Sequence, residues 1–314
     1  MSRLAAIFPG QGSQSVGMGS DVARNSSVAL ALFTQASEIL GYDLLDLARN
    51  GPEERLRETM YSQPVIFVTN CALYYAASED LSPVVSAGHS FGEFCSLTIS
   101  KALSFEDALR IVCERGKAMQ HAAELRPGGM SAVLGMSAQT IGEIVTQSNE
   151  RCGLRAQLAN FNSPSQIVIS GDLAAVQAAG DALLEGGAKR VVPLNVSGAW
   201  HSALMEPAIE RLAAAVDAAD FSIPEFDVIS NVDAEPYRDV DTIRRNLVRS
   251  ITCEVRWHET AERLISYKPD AVVEFGAGPV LAPLMKRLPN APAVLQVSDY
   301  AGVEQLRRRE RACA

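Results

Sequence analysis

Short apolar, β-branched runs alternating with longer helical patterns predict an α/β fold with a largely parallel sheet. Two further observations refine this. From about Gly129 the order becomes strand, helix, strand, strand, helix, strand, the β-α-β-β-α-β series of a ferredoxin-like unit. Before it, Gly88-His89-Ser90-Phe91-Gly92 follows an apolar run over 81–87 and precedes a helix-compatible stretch from Glu93 to Ile99. A strand turning sharply into a helix needs small residues beside the turn, since side chains there collide with backbone. The glycines leave Ser90 alone at the apex, the geometry of a nucleophile elbow.

In chain order, the first strand is read at Leu4 to Phe8, with helix from Ala29 to Leu40 and strand from Val84 to Ala87. A long helix runs from Phe105 to Ala123. Arg126-Pro127-Gly128-Gly129 then leads into the changed pattern: strand Met130 to Leu134, helix Thr140 to Ser148, strand Arg155 to Ala159. Asn160-Phe161-Asn162-Ser163-Pro164 reads as a turn, followed by strand Gln166 to Ser170 and helix Leu173 to Leu184. Gly186-Gly187 stops that helix before a strand from Arg190 to Val196. Helix returns at Ala203 to Ala219, with strand Phe226 to Ser230, helix Val255 to Ile265 and strand Ala271 to Phe275. This predicts a large domain, residues 1–126 and 198–314, interrupted by a small one, 127–197. A cleft between them is a natural ligand site.

The 314 residues can bury a large core. An apolar fraction of 47% and a charged fraction of 21% are ordinary for a globular protein. No apolar run approaches the ~20 residues of a membrane span, and Pro9-Gly10 arrives too early for a signal-peptide core. Six cysteines (Cys71, Cys95, Cys113, Cys152, Cys253, Cys313) show no C-x-x-C spacing. They are expected to be buried small hydrophobes in a reducing cytoplasm, with no metal site. A net charge of -9 argues against general nucleic-acid binding, and the basic stretch Arg307 to Arg311 reads as a solvated end.

A serine nucleophile needs a base, and there are four histidines. His89, inside the elbow, reads as structural support; His121 and His258, on helices, read as surface or partly buried. His201 follows Val196-Ser197-Gly198-Ala199-Trp200, where the chain re-enters the large domain, so it can face a cleft; taken alone, such a histidine is usually structural. Phe8-Pro9-Gly10-Gln11-Gly12-Ser13-Gln14 is a second Gly-rich turn after a strand. It fails as a dinucleotide loop, because Ser15 replaces the third glycine and helix follows where strand should. A rigid loop aiming a backbone N–H at an oxyanion fits better. Arg115, on a helix, is either a solvated surface group or a bidentate clamp for a carboxylate.

Together these segments resemble the malonyl-CoA:acyl-carrier-protein transacylases and the related acyltransferase domains of polyketide synthases. The likeness runs from FPGQGSQ at Phe8 through GHSFGEF at Gly88, CERGKAMQ at Cys113 and GGMSAVLG at Gly128. It continues through ANFNSPSQIVISG at Ala159, VSGAWHSALM at Val196, ISNV at Ile229 and VRW at Val255 to EFGAGPVL at Glu274. The resemblance implies an α/β-hydrolase-like large subdomain with a ferredoxin-like insertion. It implies Ser90 as nucleophile, His201 as base and Arg115 as clamp for the malonyl carboxylate. Backbone N–H groups of Gln11 and Phe91 would form the oxyanion hole, and Asn162 would line the site.

Departures from the family pattern sharpen the expectations. Ser250 stands where a glutamine usually offers its backbone carbonyl to the histidine, and Glu254 replaces a proline. Trp200 precedes His201 where phenylalanine is common, and Phe91 follows Ser90 where an aliphatic residue is usual. Both aromatics are expected to border the acyl pocket and exclude α-branched groups. The implied activity is ping-pong malonyl transfer from malonyl-CoA to an acyl carrier protein, for fatty-acid or polyketide synthesis. It needs no metal or redox cofactor, only the coenzyme A thioester as substrate. A thioester hydrolase, or a polyketide acyltransferase for another acyl group, is the alternative. The chain is expected to be a cytoplasmic monomer with no nucleic-acid or membrane partner. Lys189, Arg190, Lys286 and Arg287 are candidates for docking the acidic carrier.

Overall fold

The structure, a computed structural model, describes residues 2–77, 81 and 83–312. Ser82, in the apolar run, and Cys313 lie outside the described residues. The first strand, β1 (Leu4–Phe8), has no polar side chain. Strand residues alternate between faces. Leu4, Ala6 and Phe8 enter one core while Ala5 and Ile7 enter another. A strand buried on both faces belongs in the middle of a parallel sheet.

Five helices follow: α1 (Ser20–Asn25), α2 (Ser27–Leu40), α3 (Leu44–Asn50), α4 (Glu53–Arg57) and α5 (Thr59–Ala77). Then come β2 (Val85–Gly88), α6 (Gly92–Ile99) and α7 (Phe105–Leu125). The middle of the chain is β3 (Gly128–Leu134), α8 (Ala138–Cys152), β4 (Ala156–Ser163), β5 (Gln166–Asp172), α9 (Leu173–Glu185) and β6 (Arg190–Pro193). A 3-10 helix over Ala203–Ala208 leads into α10 (Ile209–Asp217), β7 (Asp227–Ile229) and α11 (Val240–Arg249). The chain closes with α12 (Trp257–Ser266), β8 (Ala271–Phe275), α13 (Ala282–Met285), β9 (Ala293–Val297) and α14 (Tyr300–Ala312).

A parallel sheet has the order β7-β2-β1-β8-β9. The four middle strands form a separate antiparallel sheet, β4-β5-β3-β6, with α8 and α9 closing a core of their own around Val133, Ile141 and Leu183.

Several boundaries differ from the sequence reading. The expected turn at 160–164 is strand: β4 runs through Asn160, Phe161 and Asn162, and the reversal falls between Ser163 and Gln166. Turn-prone asparagines are overruled because Phe161 N–H reaches Val255 O and Val255 N–H reaches Ala159 O, at 2.9 and 2.8 Å. The same pairing makes Val255 extended, so α12 starts at Trp257 instead of Val255. β6 stops at Pro193, where Val196 N–H turns back to Leu194 O. Pro207, lacking an N–H, splits the expected 203–219 helix into a 3-10 turn and α10. The cysteine expectation holds for Cys71, Cys95 and Cys113; Cys152 is exposed and Cys253 half-buried, at the end of α8 and in the irregular segment after α11.

Candidate active site

Close approach builds the elbow. A Cβ on Gly88 would lie 1.9 Å from the Gly92 carbonyl carbon, and one on Gly92 would lie 2.4 Å from Phe8 O. Only glycine fits either place. Ser90 between them has φ 53, a left-handed conformation that L residues rarely adopt. The Gly10 loop abuts the elbow, since a Cβ on Gly10 would meet His89 O at 2.6 Å.

Three elements converge on Ser90. Its Oγ lies 2.8 Å from His201 Nε2 and accepts from Arg115 Nη2 at 3.3 Å. His201 Nδ1 faces the carbonyl oxygens of Ser250 (2.8 Å) and Cys253 (3.2 Å). Carbonyls only accept, so Nδ1 carries the proton and Nε2 presents its lone pair to the Ser90 hydroxyl. Burial, then the Arg115 charge and His89, pull His201 down to about 3, so the ring is neutral at pH 7.

Arg115 sits on α7 with 1% of its surface exposed. Beside it Gly116 lets α7 approach α5, where an added Cβ would touch Thr59 O at 2.9 Å. That approach brings Gln63 to Arg115: Nη1 donates to Gln63 Oε1 at 2.8 Å. Gln63 in turn donates to Thr59, and Thr59 to the Gln11 side chain. Arg115 Nε has no hydrogen-bond partner among the described residues. Burial lowers the guanidinium to about 10, still charged at neutral pH, with Glu93 opposing the shift.

A cleft of about 200 Å³ joins these groups. Gln11, His89, Arg115 and His201 line it from one side, Met130, Asn160, Asn162 and Val168 from the antiparallel sheet. His89 Nε2 donates to Asn162 Oδ1 at 3.0 Å, tying the elbow to β4. Trp200 lines the cleft over Gly198, whose missing side chain makes room for the indole. Among the described residues, neither the Gln11 nor the Phe91 backbone N–H donates within the protein. One expectation fails. The Phe91 ring is not a cleft wall: it is 1% exposed in the main core, 5.9 Å from the Arg115 guanidinium carbon, because the first turn of α6 aims it inward.

Sequence reasoning missed the support beneath Ser90. Asn231 Oδ1 accepts from Ser90 N–H at 3.1 Å, and its Nδ2 reaches Gly88 O and a Glu93 carboxylate oxygen at 2.9 and 2.6 Å. Tyr237 donates to the same carboxylate at 2.6 Å. Burial pushes Glu93 up to about 7, against the pull of these donors. The ISNV stretch was the signal for Asn231; nothing local marks Gln63 or Tyr237.

Residues 6–312 match the acyl transferase domain family. The chain is 40% identical to a malonyl CoA-acyl carrier protein transacylase of Haemophilus influenzae, over 96% of this chain and 97% of that protein. It is 38% identical to a protein of the same description from Bacillus subtilis, over 97% and 96%. Among solved structures it resembles a malonyl-transacylase in complex with its type II polyketide acyl-carrier protein. That match has a TM-score of 0.93 and 38% identity, covering 98% of this chain and 100% of that one.

Proposed function

The chain belongs to the acyl transferase domain family, and from that premise we propose that it transfers a malonyl group from malonyl-CoA to the phosphopantetheine thiol of an acyl carrier protein through a malonyl-serine intermediate. One observation carries the reading: a buried Arg115 guanidinium, its Nε without a partner among the described residues, 3.3 Å from a serine oxygen that also touches a neutral histidine. A buried cation beside a nucleophile favours an acyl group that brings its own anion. An acetyl group would leave the guanidinium unpaired, at a cost on the order of a few kcal/mol.

His201 Nε2 takes the Ser90 proton as Oγ attacks the thioester carbon. The Gln11 and Phe91 N–H groups hold the oxyanion. Collapse breaks the C–S bond, and coenzyme A leaves with the proton from His201. The carrier thiol then attacks the acyl-serine in the same way, with His201 again moving the proton. The malonyl carboxylate on Arg115 offsets the charge that depresses His201, so the base strengthens when the right substrate is seated. No metal or redox cofactor enters these steps, and the chain is taken to act as a monomer. A coenzyme A thioester substrate fits a cytoplasmic setting.

In this reading residues 1–126 and 198–314 are an α/β-hydrolase-like subdomain, with residues 127–197 a ferredoxin-like insertion; the strand order β4-β5-β3-β6 and its separate core support the division. Trp200 would exclude α-branched acyl groups. The acidic carrier would dock on one rim: Leu134 pairs with both Gln166 and Arg190, and Arg287 donates to Gln166, which lines the cleft. Lys189, Arg190, Lys286 and Arg287 are all exposed there.

Supplying the enzyme with malonyl-CoA or methylmalonyl-CoA and a holo carrier protein tests the reading. Malonyl-carrier should accumulate. Free malonate as the main product would make the protein a hydrolase, and equal methylmalonyl transfer would remove the role given to Trp200.

A further inference from the structure

β4 serves two structures at once. One edge pairs with β5; the other meets the irregular segment after α11 through Val255. That segment carries the Ser250 and Cys253 carbonyls that hold His201 Nδ1. Two residues before Ala159 on the same strand stands Gln157. Its Nε2 donates to His201 O at 3.3 Å and to Thr252 O at 3.5 Å, and its Oε1 accepts from Ala203 N–H at 3.0 Å. One amide thus joins the histidine, the residue that opens the 3-10 helix after it, and the carbonyl-bearing segment beneath it.

His201 needs such a hold. Its φ is 58, a left-handed conformation that persists only where the surroundings impose it. Among the described residues, Gln157 makes the one hydrogen bond to the His201 main chain.

We propose that Gln157 is a positioning residue for the base: it fixes the strained His201 backbone and the Ser250–Cys253 segment relative to each other, and so aims Nε2 at Ser90 Oγ. The proposal rests on the reading of Ser90 and His201 as the reacting pair. It couples the antiparallel sheet, through β4, to the chemistry on the parallel one. The charged or titratable groups facing His201 are Arg115 from α7 and His89 from the elbow, and neither touches Gln157.

The test compares wild type with Gln157→Met, which removes donor and acceptor at similar volume. Gln157→Glu, which keeps only the oxygen for Ala203, serves if the Met variant does not fold. Ser90 is labelled by a fluorophosphonate, which needs an aimed base but neither a malonyl carboxylate nor a carrier, and separately by malonyl-CoA in a single turnover. Rates are taken per reactive site from the labelling end-point, so unfolded protein does not count. We expect both rates to fall ten- to a hundredfold, with KM for malonyl-CoA within twofold. The acid limb of the rate profile should also move to higher pH, because a loosened loop admits water to His201. Unchanged rates and an unchanged limb would overturn the proposal, as would a loss that vanishes once rates are taken per site. Wild type that reacts with the fluorophosphonate but not with malonyl-CoA would defeat the malonyl reading while a slow Gln157 variant still upheld the positioning role.

Discussion

At Arg115 one side chain has two effects. It offers a carboxylate a buried partner, and its charge lowers the basicity of His201. Replacing it by alanine should therefore change two observables in a linked way. The preference for malonyl- over acetyl-CoA should fall by at least about a hundredfold, as expected for an uncompensated buried charge. The His201 pKa should rise from about 3 toward its ordinary value. Since the proposed base is the neutral ring, the acid limb of acylation should then move upward in pH. A limb that stays put, or a preserved malonyl preference, would remove the clamp. Ser90 stood out from the elbow glycines alone, whereas His201 and Arg115 were singled out only through the family resemblance of the stretches around them. Asn231 lay inside the ISNV stretch without being singled out, and Gln63 and Tyr237 had no local mark, because an amide on a buried helix or a tyrosine after a turn acquires meaning only when a distant partner arrives.

Elements were readable where local chemistry and burial agree. β1 and β8 fall where their apolar runs place them. α5 was missed: it is buried on nearly every side, so it shows no amphipathic stripe, and Pro64 near its start argues against a helix. β4 was cut short because its asparagines favour turns, yet Val255 supplies a strand-like partner that no local signal announces. The elbow is the opposite case, with its glycines readable as close-approach residues. Gly88→Ala would put a methyl group within 2 Å of the Gly92 backbone. We expect a loss of about 3 kcal/mol or more in urea unfolding, at or beyond the upper range for overpacking. A loss below about 1 kcal/mol would mean that the turn relaxes and that the strain at Ser90 is not imposed by it.

Across the whole molecule the two sheets matter less for their separate cores than for the cleft they share. The parallel sheet presents Ser90 at the end of β2, α7 brings Arg115, and β4 of the other sheet reaches both His89 and the His201 loop. The net charge of -9 disfavours an acidic partner over most of the surface. The proposed docking residues Arg190, Lys286 and Arg287, all exposed, would offset this locally. Reversing Lys286 and Arg190 to glutamate should raise KM for the carrier about tenfold and reduce its salt dependence, with kcat at saturating carrier retained. An unchanged KM would place docking elsewhere.

The central claim is that Ser90 takes a malonyl group. Mass spectrometry of the protein after brief mixing with malonyl-CoA, followed by peptide mapping, tests it most directly. One malonyl adduct on the peptide containing Ser90, absent in Ser90→Ala and discharged by a holo carrier protein, is the predicted result. An unmodified protein that turns over malonyl-CoA, or an adduct that survives in Ser90→Ala, would contradict it.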